Sequence, residues 1–282
     1  TPKDSSQGVL IGLERICEKA GIDPSAIGKV MHGTTVATNT VLTNSGARVG
    51  LVTTKGYKQT LQIARSYVPG GLGGWVIFNK TDPLSPLELT IEADERMGAK
   101  GEIVDPLNEA SLRTDLKKLA GRNIEALTVS LMNSYTNGEH ERRIREIAGD
   151  IMPGIPVSIS SEIVPEMYEY ERTETTVVNS YIRPVVGSYI ENLTAELERR
   201  TNGMQLHILR SDGGLSSSEA AKEKPVNLLL SGPAGGVSGA IWMAKQAGYK
   251  DLLTFDMGGT STDVALIQNG VAQARRETRV AD

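Results

Sequence analysis

The chain has 282 residues, enough for one large or two ordinary domains, and its 39 % hydrophobic and 23 % charged residues are ordinary for a soluble globular protein. A net charge of −4 speaks against a general nucleic-acid surface, because neutralising phosphates takes clustered Lys and Arg. No run approaches the roughly 20 apolar residues of a membrane helix, the first residues lack the basic and apolar regions of a secretory signal, and the single cysteine, Cys17, excludes an internal disulfide and suits a reducing, cytoplasmic compartment.

Ser5 or Ser6 is placed to cap a first helix with Val9, Leu13 and Ile16 on one face, stopped near Gly21, with Cys17 as core filler. A short strand, 29–32, runs into Gly33-Thr34-Thr35, and 36–42 follows as a helix. An apolar strand over 48–53 and a helix over 56–63 come next. The stretch 66–102, with Gly70, Gly71, Gly73, Gly74, Pro83 and Pro86, lacks a clear period. It is expected to be irregular, with extended structure where Leu89–Ile91 alternate with polar neighbours. Regular alternation then returns. Leu112, Leu116 and Leu119 line a helix, 126–131 reads as a buried strand, and Ile144, Ile147 and Ile151 share a helix face. A strand over 157–160 precedes a long helical stretch, 171–200, bent near Pro184 and carrying Val186, Ile190, Leu193 and Leu197 on one stripe. Three more apolar strands are expected at 206–209, 226–230 and 252–255, with a helix over 233–247 opened by Pro233. Strands alternating with helices predict an α/β fold.

The most specific chemical signal is Phe255-Asp256-Met257-Gly258-Gly259-Thr260-Ser261-Thr262-Asp263-Val264. An apolar strand enters an Asp and two glycines, and a second strand, 264–267, returns to a turn at Asn269-Gly270. This is a β-hairpin with a glycine-rich tip. Glycines let backbone N–H groups approach phosphate oxygens, the hydroxyls of Thr260, Ser261 and Thr262 add donors, and Asp256 can hold Mg²⁺ or orient an attacking group. Asp263 can share that metal shell or cap the turn. The segment resembles a phosphate motif of the actin/hexokinase/Hsp70 ATPase class. That resemblance implies an actin/hexokinase-like (ribonuclease H-like) ATPase fold, with mixed sheets flanked by helices and ATP in a cleft between two lobes. It implies an incomplete two-lobe section: 1–250 as the remainder of the first lobe, with an irregular insertion at about 66–102, and 251–282 as the start of the second. A first-lobe hairpin is expected before Thr1 and an adenosine-binding segment after Asp282.

Other segments narrow the match. His32-Gly33-Thr34-Thr35-Val36-Ala37-Thr38-Asn39 resembles the His-Gly-Thr-Thr-x-Ala-Thr-Asn signature of the hydantoinase A/oxoprolinase family. Glu169-Tyr170-Glu171-Arg172-Thr173, Ser211-Asp212-Gly213-Gly214-Leu215 and Ser231-Gly232-Pro233-Ala234-Gly235-Gly236-Val237 also fit that family. The resemblance implies ATP- and Mg²⁺-dependent activation of a carbonyl or enol oxygen, either for hydrolysis of a cyclic amide or, in acetone and acetophenone carboxylases, for carboxylation of a ketone. A second, hydantoinase B-like subunit is the implied partner, with neither nucleic acid nor membrane. Two features depart from the hydrolase pattern. Arg65-Ser66-Tyr67-Val68-Pro69 stands where hydrolases tend to carry Arg-Gln-Asn-Arg-Pro, and Asp212 replaces a more usual Asn. These keep the ketone-carboxylase branch open, beside a non-catalytic ATPase-like scaffold.

On this reading Asp256, Asp263 and Arg172 serve catalysis, with Asp256 the metal ligand. Gly258, Gly259, Thr260, Ser261, Gly235 and Gly236 serve the phosphates, and His32, Gly33, Thr34, Thr35, Asn39, Arg65, Ser211, Asp212, Gly213 and Gly214 face substrate. Each has a plainer role beside it. His32 can be structural at a strand end, the threonines can cap a helix, Arg172 can pair with Glu169 or Glu171, and 211–214 can be a turn. His140 and His207 lack partners at ligand spacing, so no zinc site is expected.

Overall fold

Parallel strands cannot pair without a crossover, so the strand–helix alternation in this chain predicts sheets flanked by helices. The computed structural model describes residues 5–65, 81–257 and 262–273 and has that mixed α/β architecture. The chain divides into two compact units, one of Thr1–Asn44 and Val185–Ala281, the other of Ser45–Pro184.

The first unit opens with α1 (Ser5–Ala20), followed by β1 (Lys29–His32) and α2 (Val36–Leu42). In α1 the buried stripe is Leu10 and Cys17, while Ile16 is exposed. The expected Val9–Leu13–Ile16 face therefore lies one position off: two apolar stripes share the 3.6-residue period, and packing chose the other. The stop at Gly21 stands, with φ +64° and Ile22 N donating to Cys17 O at 3.0 Å, a left-handed C-terminal cap.

The second unit holds β2 (Val49–Thr54), α3 (Thr60–Ile63), β3 (Thr90–Ala93), the hairpin β4 (Arg96–Met97) and β5 (Ile103–Asp105), α4 (Glu109–Ala120), β6 (Ala126–Ser130), α5 (Glu139–Ile151), β7 (Val157–Ile159) and α6 (Ser160–Ile163). Its parallel sheet runs β3-β2-β6-β7. The helix expected over 56–63 is shorter, because Gly56 takes φ +90° in a turn before it. Within the irregular stretch, Thr90–Ala93 is a strand as the alternation near Leu89–Ile91 suggests, and Arg96–Met97 adds a short one. Residues 66–80 lie outside the described residues.

Side-chain alternation gives that sheet two different faces. Leu127 and Val129 of β6 join Leu112, Leu116 and Leu119 of α4 and Ile144 and Ile147 of α5 in an apolar core. Thr128 and Ser130 point the other way. There they meet α7 (Glu169–Arg200) through hydroxyls: Thr128 donates to Ser180 at 2.7 Å, Ser130 bonds Thr173 at 2.8 Å, and Asn179 donates to Ser158 of β7 at 3.1 Å. Three buried polar rungs thus fix the register of α7 on the sheet, since a shift would leave each group unpartnered.

Helix α7 continues past Pro184 into the first unit, where Val186, Ile190, Leu193 and Leu197 are buried, the expected stripe. The first unit then adds β8 (Gln205–Leu209), β9 (Leu215–Ser217), α8 (Ser218–Glu223), α9 (Ser231–Gln246), β10 (Leu252–Met257), β11 (Thr262–Gln268) and β12 (Val271–Ala272). β1 pairs in parallel with β8, which pairs with β9, and β10-β11-β12 form an antiparallel sheet. The strand expected at 226–230 is instead a 3-10 turn, Pro225–Leu228, ending with Leu230 at φ +60°. Pro225 opens that turn, and a short apolar run carries no period to tell strand from turn.

Candidate functional site

Helix α9 organises the site, and its sequence explains how. It begins Ser231-Gly232-Pro233-Ala234-Gly235-Gly236, small residues that let other backbone come close. A Cβ built on Gly33, just beyond β1, would lie 3.7 Å from Ser231 O; one on Gly235 would lie 3.3 Å from Leu209 Cδ2 at the end of β8; one on Gly236 would lie 3.9 Å from Asp256 Oδ2 on β10. The first turns of α9 therefore gather the carboxyl ends of β1, β8 and β10 within the first unit. Carboxyl ends of strands are where open α/β sheets take their ligands.

Hydrogen bonds lock this junction. Ser231 Oγ donates to Thr34 O at 3.1 Å, and Leu230 N donates to Thr38 Oγ1 at 3.0 Å. Thr34 is buried, and its Oγ1 accepts from Val36 N at 3.2 Å in a local turn ahead of α2, whose N-cap Thr35 makes no side-chain capping bond. Thr35 and Asn39 are exposed and bonded to one another, Asn39 Nδ2 donating to Thr35 Oγ1 at 3.3 Å. Thr38 lies within the 32–39 stretch expected from the sequence, whereas Leu230 falls outside the expected residues. Leu230 was hidden inside an apolar run that reads as strand.

His32, at the end of β1, is half-buried and bonds Tyr189 Oη of α7 through Nε2 at 2.7 Å. Burial holds its pKa below the ordinary histidine value, so the ring is neutral near pH 7. Ser211–Gly214 form the turn of the β8–β9 hairpin. Gly213 sits at φ +81°, Gly214 N donates to Asp212 Oδ1 at 2.9 Å, and Arg210 pairs with Asp212 at 2.7 Å.

In the β10–β11 hairpin, Asp256 and Asp263 are cross-strand partners, so both carboxylates share one face. That face also carries Leu252, Thr254, Ala265 and the buried Ile267, and Asp256 Oδ2 lies toward Gly236 of α9. The opposite face, Leu253, Phe255, Val264 and Leu266, is exposed and apolar. Two adjacent carboxylates beside a glycine-lined helix start suit a hydrated divalent cation and a phosphate chain. Among the described residues no group of three or more His, Cys, Asp or Glu is placed to hold a metal ion. Gly258, Gly259, Thr260 and Ser261 lie outside the described residues.

Arg65 and Arg172 belong to the second unit. Arg65 is exposed and pairs with Glu171. Arg172 is 1 % exposed, and its guanidinium is fully engaged: Nε donates to Ser160 Oγ at 3.1 Å, Nη1 to Glu166 O at 3.0 Å and Nη2 to Leu131 O at 2.7 Å, with Glu169 as its ion-pair partner. The plainer role, pairing with Glu169, is the one this geometry displays.

A family profile described as "Hydantoinase/oxoprolinase N-terminal region" matches residues 1–152, and one described as "Hydantoinase/oxoprolinase" matches residues 172–282. The chain belongs to the hydantoinase/oxoprolinase family. Among the relatives of this family member are the caprolactamase subunit alpha of Pseudomonas jessenii, 31 % identical over 96 % of this chain and 39 % of that protein, and the acetophenone carboxylase gamma subunit of Aromatoleum aromaticum, 32 % identical over 95 % and 38 %. The nucleotide-free structure of acetone carboxylase superposes with a TM-score of 0.86 at 29 % identity, covering 96 % of this chain and 40 % of that one. The chain thus spans about two fifths of the length of these relatives. The mixed α/β fold, with helices flanking sheets, agrees with the expected actin/hexokinase-like class. No helix among the described residues is long and apolar enough to cross a membrane.

Proposed function

We propose that this chain is part of a longer cytoplasmic enzyme that uses ATP to activate the carbonyl oxygen of a cyclic amide for hydrolysis, with 251–282 opening a second nucleotide-binding lobe. The observation that carries this reading is the junction at α9, where Gly33 after β1, Leu209 at the end of β8 and Asp256 on β10 are drawn to one helix start. Support also comes from relatives named as 5-oxoprolinase and caprolactamase.

ATP and Mg²⁺, when bound, would supply a phosphoryl group that turns a poor leaving oxygen into a good one, with its charge neutralised. The residues present suit that pair. Asp256, with Asp263 beside it, would hold the hydrated cation, and the backbone of Gly258–Thr260 with Ser261 would cradle phosphate. Gly236 lets the start of α9 come close to the Asp256 carboxylate, and Gly235 lets it pack on Leu209. His32, neutral, would donate a hydrogen bond to the carbonyl oxygen, and exposed Thr35, Asn39 and Gly33 would orient the ring of the substrate. The Ser211–Gly214 turn would close the far side with its exposed backbone.

A second reading within the family is carboxylation of a ketone. It draws on the Arg65-Ser66-Tyr67-Val68-Pro69 departure and on the ketone-carboxylase relatives. In either case a second subunit, hydantoinase B-like, would complete the enzyme, as the subunit names of the relatives suggest. The deciding assay is phosphate release by the longer protein. Stimulation by a lactam or hydantoin supports hydrolysis, and stimulation only by ketone plus bicarbonate supports carboxylation. Asp256→Asn should lower the stimulated rate about 100-fold. An Asp256→Asn protein as fast as its parent would defeat both readings.

A further inference from the structure

His32 and Tyr189 lie 157 residues apart, yet His32 Nε2 and Tyr189 Oη are 2.7 Å apart, with ring centroids at 6.0 Å and planes inclined at 42°. The phenol is held firmly. Tyr189 sits on α7 beside Val186, Ile190 and Leu193, all fully buried, so the helix face that aims its ring cannot rotate without opening the core. The other ring nitrogen of His32, Nδ1, makes no hydrogen bond among the described residues, and the residue is only half-buried. Burial alone keeps the imidazole neutral, with no charged neighbour contributing.

A neutral imidazole carries one proton, and the bond at one nitrogen decides what the other can do. A tyrosine hydroxyl that donates to Nε2 forces the proton onto Nδ1. A hydroxyl that only accepts leaves Nδ1 bare. An open N–H is the useful state beside a carbonyl that becomes more negative as it reacts.

We propose that Tyr189 is a positioning residue for His32: its hydroxyl donates to Nε2, fixes the ring and its tautomer, and presents Nδ1–H as a neutral donor to the carbonyl oxygen of the substrate. The role at the substrate rests on the functional reading above; the tautomer itself does not. Tyr189 also makes an interaction besides the one with His32. Replacement by Phe keeps the ring and removes only the hydroxyl.

Two measurements test the pair. The chain contains three histidines, so nitrogen-15 imidazole spectra are simple, and His32→Gln assigns the His32 signals. The expected wild-type pattern has the proton on Nδ1, shifting about tenfold toward Nε2–H in Tyr189→Phe, the weight of one net hydrogen bond. A wild-type ring protonated at Nε2, or a pattern unchanged by the substitution, overturns the proposal. If Tyr189→Phe does not fold, the wild-type tautomer alone decides. In the longer protein, Tyr189→Phe should lower kcat about tenfold and leave KM for ATP unchanged. A shifted tautomer with unchanged kcat overturns the positioning role. A parent with no nucleotide-driven turnover refutes the functional reading instead, and the spectra still decide the tautomer.

Discussion

Arg172→Ala separates a structural from a catalytic arginine. In the second unit the guanidinium bridges the end of β6, the start of α6 and the first turn of α7. It donates to Leu131 O, Ser160 Oγ and Glu166 O and pairs with Glu169. Ser160 Oγ passes the connection on by donating to Glu141 at 2.6 Å, and Glu141, wholly buried, also accepts from Leu131 N at 2.9 Å and Ser161 N at 2.8 Å. The Arg172 guanidinium also lies over the ring of Tyr135, 5.4 Å from its centroid. Truncation removes the contacts of the guanidinium itself and takes from Glu166 O its arginine donor, while Leu131 O keeps Ser134 Oγ at 2.9 Å and the Glu141 bonds stay in place. Single hydrogen bonds to a charged group are worth about 1.5–3 kcal/mol, but those of one guanidinium are coupled and do not add. Breaking a buried pair from one side costs about 3–5 kcal/mol, and that is the expected loss. For a chain of this size it lowers the melting temperature by about 5–8 °C. Arg172→Lys keeps the charge but not the planar fork, so it should recover less than half. The assay is urea unfolding of the chain followed by circular dichroism. A loss below about 1 kcal/mol for Arg172→Ala would refute the structural reasoning and return Arg172 to the list of groups free to neutralise phosphate.

Gly46→Ala would drive a methyl group into the ring of buried Tyr181, and overpacking of that kind should cost about 1–3 kcal/mol in a thermal melt; a variant as stable as the parent would show that the ring can yield. Because the pKa of His32 is lowered in the fold, the unfolded chain binds its proton more tightly. The stabilising contribution is complete above the unfolded value of 6.5 and is lost as pH falls through the folded pKa. Unfolding free energies of the parent and of His32→Gln, measured from about pH 8 to pH 5, should converge on the acid side, and parallel curves would contradict the burial argument.

Much of the local structure was legible because it is written in local patterns. The β10–β11 hairpin shows itself in alternation and in the spacing that pairs Asp256 with Asp263, and the turn from β11 to β12 shows itself in Asn269-Gly270, both at positive φ. Helix α2 follows its threonines, and the Leu112–Leu116–Leu119 and Val186–Ile190–Leu193–Leu197 stripes follow the 3.6-residue period. The motif residues His32–Asn39 and 231–237 were visible as candidates, but not as neighbours. Where two patterns compete locally, as in α1 or at 226–230, the sequence has no way to choose, since the deciding energy is contact with distant residues.

By itself the sequence determined the α/β class, the hairpin, the helix stripes and the motifs that mark the family. Tertiary structure alone decided that α9 meets the ends of β1, β8 and β10, that Tyr189 holds His32, and that Arg172 is enclosed. The physical reason is sequence separation. A period or a turn is set by neighbouring residues, whereas Thr38 and Leu230 stand 192 positions apart and Ser130 and Thr173 stand 43 apart, so only the packed chain selects their partners.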